Sequence, residues 1–233
     1  MHLVMFDIDG TLSLTNDASD ASFLDALAAE LGIEDVDTDW SKYKNVTDQG
    51  CLEEIVFAKT GSLPTADECA RIRQHYAMLL KARAEADPNL IRPVPGAAEI
   101  FESLRVRPGV TLALATGTWR ECASIKLRHA GINHAGVAMA TSSDSAVREE
   151  IMKLSESRAR AAAVTNFATR TYVGDALWDL KASQHLSYGF IGVAAGVDSG
   201  TDALSQAGAH MVVGNFLEER FELFLTDRWA AGG

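Results

Sequence analysis

The chain opens on an apolar run, Leu3-Val4-Met5-Phe6, that stops at Asp7-Ile8-Asp9-Gly10-Thr11-Leu12. A short continuous apolar run predicts a buried strand, and Gly10 supplies permissive backbone where the strand ends. Further on, the apolar period lengthens to that of a helix. Phe23, Leu24, Leu27 and Leu31 recur at helical spacing, and Gly32 stops the pattern. Leu52, Ile55 and Val56 predict a second helix ending at Gly61, after a polar stretch that carries Trp40 and Tyr43. Thr65 and Glu68 have the spacing of a capping box and open a third helix. Cys69, Ile72, Tyr76 and Leu79 or Leu80 form its apolar face, and Asp87-Pro88 closes it. No convincing strand occurs in this stretch, so residues 15–89 are expected to form a helical insert. Residues 1–14 and 90–233 are then the core.

From Pro93-Val94-Pro95-Gly96 onward, strands and helices alternate. A helix from about Ala97 to Leu104 precedes the strand Val110 to Ala115, which ends in Thr116-Gly117-Thr118. The next helix carries Ala123, Leu127 and Ala130 on one face and stops at Gly131. Gly136 to Ala140 is a short strand, followed by the polar loop Thr141 to Ser145 and a helix with Val147, Ile151 and Leu154 on one face. Arg170 to Val173 is a strand ending in Gly174-Asp175, with Trp178-Asp179 on the helix after it. Phe190 to Ala194 and His210 to Val213 complete the strands, and Phe216 to Leu225 is a terminal amphipathic helix. Such alternation predicts an α/β fold, a Rossmann-like, doubly wound and mainly parallel sheet carrying an inserted α-helical cap.

Composition narrows the partners. Hydrophobic residues make up 47% and charged residues 23%, as in ordinary globular proteins, and the net charge of −11 argues against a nucleic-acid partner. No stretch approaches the ~20 apolar residues of a membrane span. No basic region precedes the first apolar run, so a signal peptide is not expected. Cys51, Cys69 and Cys122 form no C-x-x-C pair, which fits a reducing, cytoplasmic setting. The six histidines show no ligand spacing.

Chemistry concentrates where strands end. On one strand Asp7 and Asp9 point to the same side. Two adjacent carboxylates repel, and a divalent cation or a solvated acidic turn would account for them. Ligands of open parallel sheets bind beyond the carboxyl ends of the strands. Thr116 and Asp175, with Asp179, arrive at that same edge.

These motifs carry a resemblance. Asp7-Ile8-Asp9-Gly10-Thr11-Leu12 resembles the first motif of the haloacid dehalogenase-like hydrolases, and Leu112-Ala113-Leu114-Ala115-Thr116-Gly117 the second. Tyr172-Val173-Gly174-Asp175, with Asp179, resembles the fourth. The helical insert resembles the family's cap of the first type, found in phosphoglycolate phosphatase-like members.

The resemblance implies an aspartyl-phosphate mechanism. Asp7 would be the nucleophile and Asp9 the acid/base. Mg²⁺ would lie among Asp7, the Asp9 carbonyl and Asp175, with Asp179 supporting the metal or a basic residue. Thr116 and nearby backbone N–H groups, such as that of Gly117, would bind phosphoryl oxygens. The third motif departs from the family, because no Gly-Lys-Pro occurs. Arg148 and Lys153 are the available cations, and five positions set them about 140° apart on a helix. Arg148, in the helix's first turn, is the expected one. Lys126 reads as a solvated helix lysine.

Asp9 favours phosphoryl chemistry over dehalogenation, since a halide needs no proton. The insert would set the substrate: Asn45-Val46-Thr47-Asp48 resembles the cap segment that faces the active site. Tyr43, Lys44, Thr47 and Asp48 are the expected contacts, with Thr47 and Asp48 equally explained as a helix N-cap. Trp40 is expected to pack the cap. The resulting expectation is an Mg²⁺-dependent phosphatase acting on a small phosphorylated metabolite, as a monomer or homodimer. A sugar phosphomutase of the β-phosphoglucomutase type and a non-catalytic binding or regulatory protein are the alternatives.

Overall fold

The computed structural model describes residues 1–164, 166–195 and 201–231. Residues 165, 196–200 and 232–233 of the expected core segment lie outside the described residues.

Strand β1, His2–Phe6, is the centre of a six-stranded sheet. It pairs in parallel with β4, Val110–Ala115, and with β6, Thr169–Gly174. Strand β5, Ala138–Ala140, extends one side, and β7, Gly189–Val193, and β8, Met211–Val213, extend the other. The order β5-β4-β1-β6-β7-β8 is parallel throughout. Period-two alternation on β1 serves two layers: Val4 and Phe6 enter one apolar cluster, Leu3 and Met5 the other. Helices α4, Ala97–Val106, α5, Arg120–His129, and α9, Glu219–Ala231, pack on the first face. Helices α6, Arg148–Ala163, α7, Leu177–His185, and α8, Thr201–Gln206, pack on the second.

The insert is three helices: α1, Asn16–Leu31, α2, Asp48–Thr60, and α3, Ala66–Ala86. Gly32 and Gly61 end the first two in the left-handed region, at φ 65° and 75°. Both bonds of the Thr65–Glu68 capping box are made. Phe23, Leu27, Leu52, Ile55, Ile72, Tyr76 and Leu80 form a separate apolar cluster, which reaches the core through Trp119 and Cys122 at the start of α5.

Three features depart from the sequence reading. The short strands β2, Ser13–Leu14, and β3, Arg92–Pro93, pair antiparallel where the chain passes to and from the insert. Two residues are too few to show a period. The last helix runs Glu219–Ala231, with Phe216 packed ahead of it, and α8 is an additional helix. Among the described residues no helix is long and apolar enough to cross a membrane.

Candidate active site

Asp7 follows β1 directly, and its N–H bonds the Val173 carbonyl (2.9 Å), which fixes it at the sheet edge. The chain then turns sharply: the N–H groups of Leu12 and Ser13 both reach the Ile8 carbonyl (2.9 Å each). Gly10 holds φ +69°, and any Cβ there would overlap the Asp175 carboxylate. The turn therefore needs glycine for backbone and for space. Thr116 follows β4, with its own N–H on the Ala140 carbonyl (3.2 Å) and its Oγ accepting from the Thr118 N–H (3.3 Å). Asp175 follows β6, and Asp179 lies in the first turn of α7, accepting from the Ala176 N–H (3.2 Å).

Asp7, Asp175 and Asp179 each offer a carboxylate oxygen, and these oxygens lie within 4.8 Å of one another. Arg148 faces them from the first turn of α6. Its Nη1 is 2.7 Å from Asp179 Oδ1 and 3.9 Å from Asp7 Oδ1. Arg148 thus stands where the third-motif cation is expected. Lys153 pairs with Glu150 (2.9 Å) on the exposed side of the helix. Burial pushes Asp7 up to about 7, with Asp179 adding to the shift and Arg148 opposing it. Burial likewise raises Asp175 and Asp179, and the neighbouring carboxylates raise Asp175 further. Burial works against the Arg148 charge, and Asp179, Tyr172 and Asp7 together more than offset it.

Asp9 is held from two sides. Thr15 donates to Oδ1, and Lys126 Nζ sits 2.7 Å from Oδ2. Lys126 corrects the sequence reading: its side chain is 1% exposed, and its ammonium also reaches Thr118 Oγ1 (3.2 Å) and the Tyr76 hydroxyl (3.5 Å). Burial opposes its charge, and Asp9 leads the groups that restore it. Cys122 and Lys126 lie four positions apart on one face of α5, and the cap covers that face, with Cys122 in the cap's apolar cluster and Lys126 against Tyr76.

The cap lies closed on the core through its 46–49 segment. Arg148 Nη2 donates to the Val46 carbonyl (2.9 Å), Thr47 Oγ1 to the Ala146 carbonyl (2.8 Å), and the Asp48 N–H to the Gly117 carbonyl (2.7 Å). Asp48 Oδ2 accepts from Thr118 Oγ1 (2.9 Å) and the Trp119 N–H (2.7 Å). Thr47 also caps α2, accepting from the Gly50 N–H (3.0 Å). The Thr47 hydroxyl is therefore spent on cap and clamp, and Asp48 ties the cap to the core while lining the site.

One cavity of about 170 Å³ brings together Asp7, Asp9, Thr47, Asp48, Thr116, Gly117, Arg148 and Asp175. Asp179 sits behind them, on Arg148. Lys44 lies outside the cavity: it is exposed, and its backbone N–H is tied to Glu54 (2.9 Å). Tyr43 is also outside, its hydroxyl on the Asp37 carbonyl (2.8 Å). Trp40 packs against Phe23 and Tyr43 and also contributes to the cavity wall. Ser19, Asp20, Phe23, Tyr76 and Trp178 also line the cavity, where the sequence pattern placed none of them.

The family model described as haloacid dehalogenase-like hydrolase matches residues 4–193. The chain belongs to the haloacid dehalogenase-like hydrolases. Solved structures of this fold agree in architecture. A hydrolase from Pseudomonas syringae is 21% identical, with a TM-score of 0.70 over 92% of this chain and 94% of that one. CbbY from Rhodobacter sphaeroides, in complex with phosphate, is 21% identical, with a TM-score of 0.68 over 94% and 96%. A family IA, variant 3 hydrolase from Entamoeba histolytica is 13% identical, with a TM-score of 0.66 over 92% and 93%. No curated protein matches the chain by sequence. In this haloacid dehalogenase-like hydrolase the motif residues at the ends of β1, β4 and β6 share one cavity with Arg148.

Proposed function

We propose that the protein is a phosphatase that hydrolyses small phosphate monoesters through a phosphoryl group carried on Asp7. One observation carries the reading: Asp7 is buried at the cavity's sheet edge, with Arg148 as counter-charge and with Thr116 and Asp175 on the flanking strands.

The residues fit a divalent cation. The donor set is all oxygen, and Asp7 Oδ1 and Asp179 Oδ1 are buried without a hydrogen bond. Asp7 and Asp175, with Asp179 behind and the Asp9 carbonyl beside them, would hold Mg²⁺. When bound, it would offset the carboxylate charge and polarise a phosphoryl oxygen.

An Asp7 oxygen attacks phosphorus as the bond to the leaving oxygen breaks, and Asp9 supplies the proton that makes the leaving group an alcohol. Arg148 and the Thr116 hydroxyl neutralise and orient the phosphoryl oxygens. Asp9 then takes a proton from the water that cleaves the acyl phosphate, releasing orthophosphate and restoring Asp7. The closed 46–49 clamp excludes bulk water during both steps.

The cavity's size favours a small substrate. At about 170 Å³ it lies below the ~300 Å³ where pockets for larger ligands begin. That leaves room for a phosphoryl group and a short leaving group, and less for a hexose phosphate turned over by a mutase. The test is phosphate release from a panel of phosphometabolites and an aryl phosphate with Mg²⁺, run beside Asp7→Asn. Activity in the wild type alone supports the proposal, and equal silence of both proteins on every substrate ends it. Conversion of a hexose phosphate to its isomer without phosphate release would identify a mutase instead.

A further inference from the structure

The first turns of α1 put Ser19 and Asp20 into the cavity wall, which Phe23, Trp40 and Tyr76 also line. Ser19 is 7% exposed and its Oγ has no hydrogen-bond partner. A buried helical serine ordinarily bonds the carbonyl four residues back, as Ser22 does to Ala18 (2.6 Å). Ser19 makes no such bond, so its hydroxyl remains available to a ligand. Asp20 Oδ2 accepts from the Trp40 indole N–H (2.8 Å), and its other oxygen has no hydrogen bond among the described residues. Burial raises the Asp20 pKa, so its charged form lacks full compensation in this structure.

The chemistry of the leaving group follows from what this wall offers. The three N–H donors of Lys126 go to Asp9, Thr118 and Tyr76, and Arg148, held by Asp179 and the Val46 carbonyl beside Asp7, is the charge that meets the phosphoryl group. An anionic leaving group would therefore enter beside Asp20 and Asp48 with no free counter-charge, at a large desolvation cost. A neutral hydroxyl could satisfy Ser19 but would bring no charge to Asp20, which has only the Trp40 N–H and the field of Lys126, itself paired with Asp9. An ammonium satisfies both, and the aromatic rings around it add cation–π attraction.

From this wall we infer that the leaving-group side of the cavity is an ammonium site, built by Asp20, Ser19 and the Trp40 and Phe23 rings, and that the substrate class is a short aminoalkyl phosphate. The inference rests on the phosphatase reading. Hydrolysis breaks the bond between phosphorus and the alkoxy oxygen; water gives its oxygen to phosphate, a proton completes the amino alcohol, and the ammonium is unchanged.

Three two-carbon esters isolate the charge: 2-aminoethyl phosphate, 2-hydroxyethyl phosphate and 2-phosphoglycolate. With Mg²⁺, the expected kcat/KM for the amino ester exceeds that of the hydroxy ester by about tenfold or more, with the carboxylate ester lowest. Asp20→Asn keeps an acceptor for Trp40 and is expected to bring the amino-to-hydroxy ratio close to one. Ser19→Ala is expected to lower the same ratio by a smaller factor. Because the readout is a ratio within one protein, partial loss of folded enzyme does not affect it. Calorimetry on Asp7→Asn gives a second readout: 2-aminoethyl phosphate should bind more tightly than the hydroxy ester, and added Asp20→Asn should remove the difference. Equal or better turnover of either other ester, or a ratio that Asp20→Asn leaves in place, overturns the ammonium site alone. Silence on all three esters and on p-nitrophenyl phosphate overturns the phosphatase reading, and the inference with it.

Discussion

Lys126→Met is the substitution that best tests the physical account of this site. Its ammonium and the Asp9 carboxylate are 2.7 Å apart, with side-chain exposures of 1% and 26%. At that separation, an effective dielectric of ~20 gives an attraction of about 6 kcal/mol. Desolvation of both ends takes back much of it, and removing one partner of a buried pair costs ~3–5 kcal/mol. Asp9 keeps some contact with water, so the lower end, about 3 kcal/mol, applies. For a chain of this length that is a fall in Tm of about 6–12 °C. Thermal and urea melts measure it, and a double-mutant cycle with Asp9→Asn isolates the pair, with an expected coupling of ~1–3 kcal/mol. The same lysine holds Asp9 in the cavity. Turnover of an alkyl phosphate, whose leaving oxygen needs a proton, should fall about 10–100-fold, and turnover of p-nitrophenyl phosphate should fall less. A change within ~0.5 kcal/mol, as for a solvated surface lysine, or an additive cycle would refute the reasoning.

Three further outcomes follow from the same geometry. Arg148→Met removes the counter-charge that pairs with Asp7 and Asp179 among the described residues and should cost about 3 kcal/mol or more and nearly all turnover, whereas Lys153→Met should be neutral in melts and assays. Asp48 is pushed up from 3.8 to about 6, chiefly by burial, so its contribution is fully present below pH ~4 and is lost as pH rises through about 6. Relative to Asp48→Asn, the wild type should lose about 3 kcal/mol across that interval, and a pH-independent difference in melts would contradict the sign. Mg²⁺ should raise the wild-type Tm and chelation should abolish activity, and both effects should vanish in Gly10→Ala, whose Cβ would overlap the Asp175 carboxylate.

Beside the apolar contact at Trp119 and Cys122, the cap and core are joined by polar groups. Asp48 sits between the Thr118 hydroxyl and the Trp119 N–H, while the Arg148 guanidinium spans Asp179 and the Val46 carbonyl. Opening the cap therefore breaks bonds to two groups that also line the cavity. Closure and assembly of the site are one event in this arrangement.

Local rules were enough for much of the fold. Val110–Ala115 is a strand over the span its apolar run gives, Gly32 and Gly61 end helices because they adopt the left-handed conformation, and Thr65 caps α3 through its own side chain. Each of these outcomes depends on residues within a few positions of one another. The acidic and hydroxyl endings of the strands were equally legible, since a parallel sheet puts all such endings on one edge. What needed the tertiary structure was everything set by distant surfaces. Lys44 adjoins the cavity segment in sequence, yet Glu54 fixes its backbone outside the site. Helical spacing showed the apolar face of α5 that meets the sheet, but it could not show that the cap covers another face of the same helix. Lys126 lies on that second face, and a buried lysine is tolerable only where a carboxylate meets it. Its partner Asp9 is 117 positions away in the chain, so only the folded chain brings the two charges together.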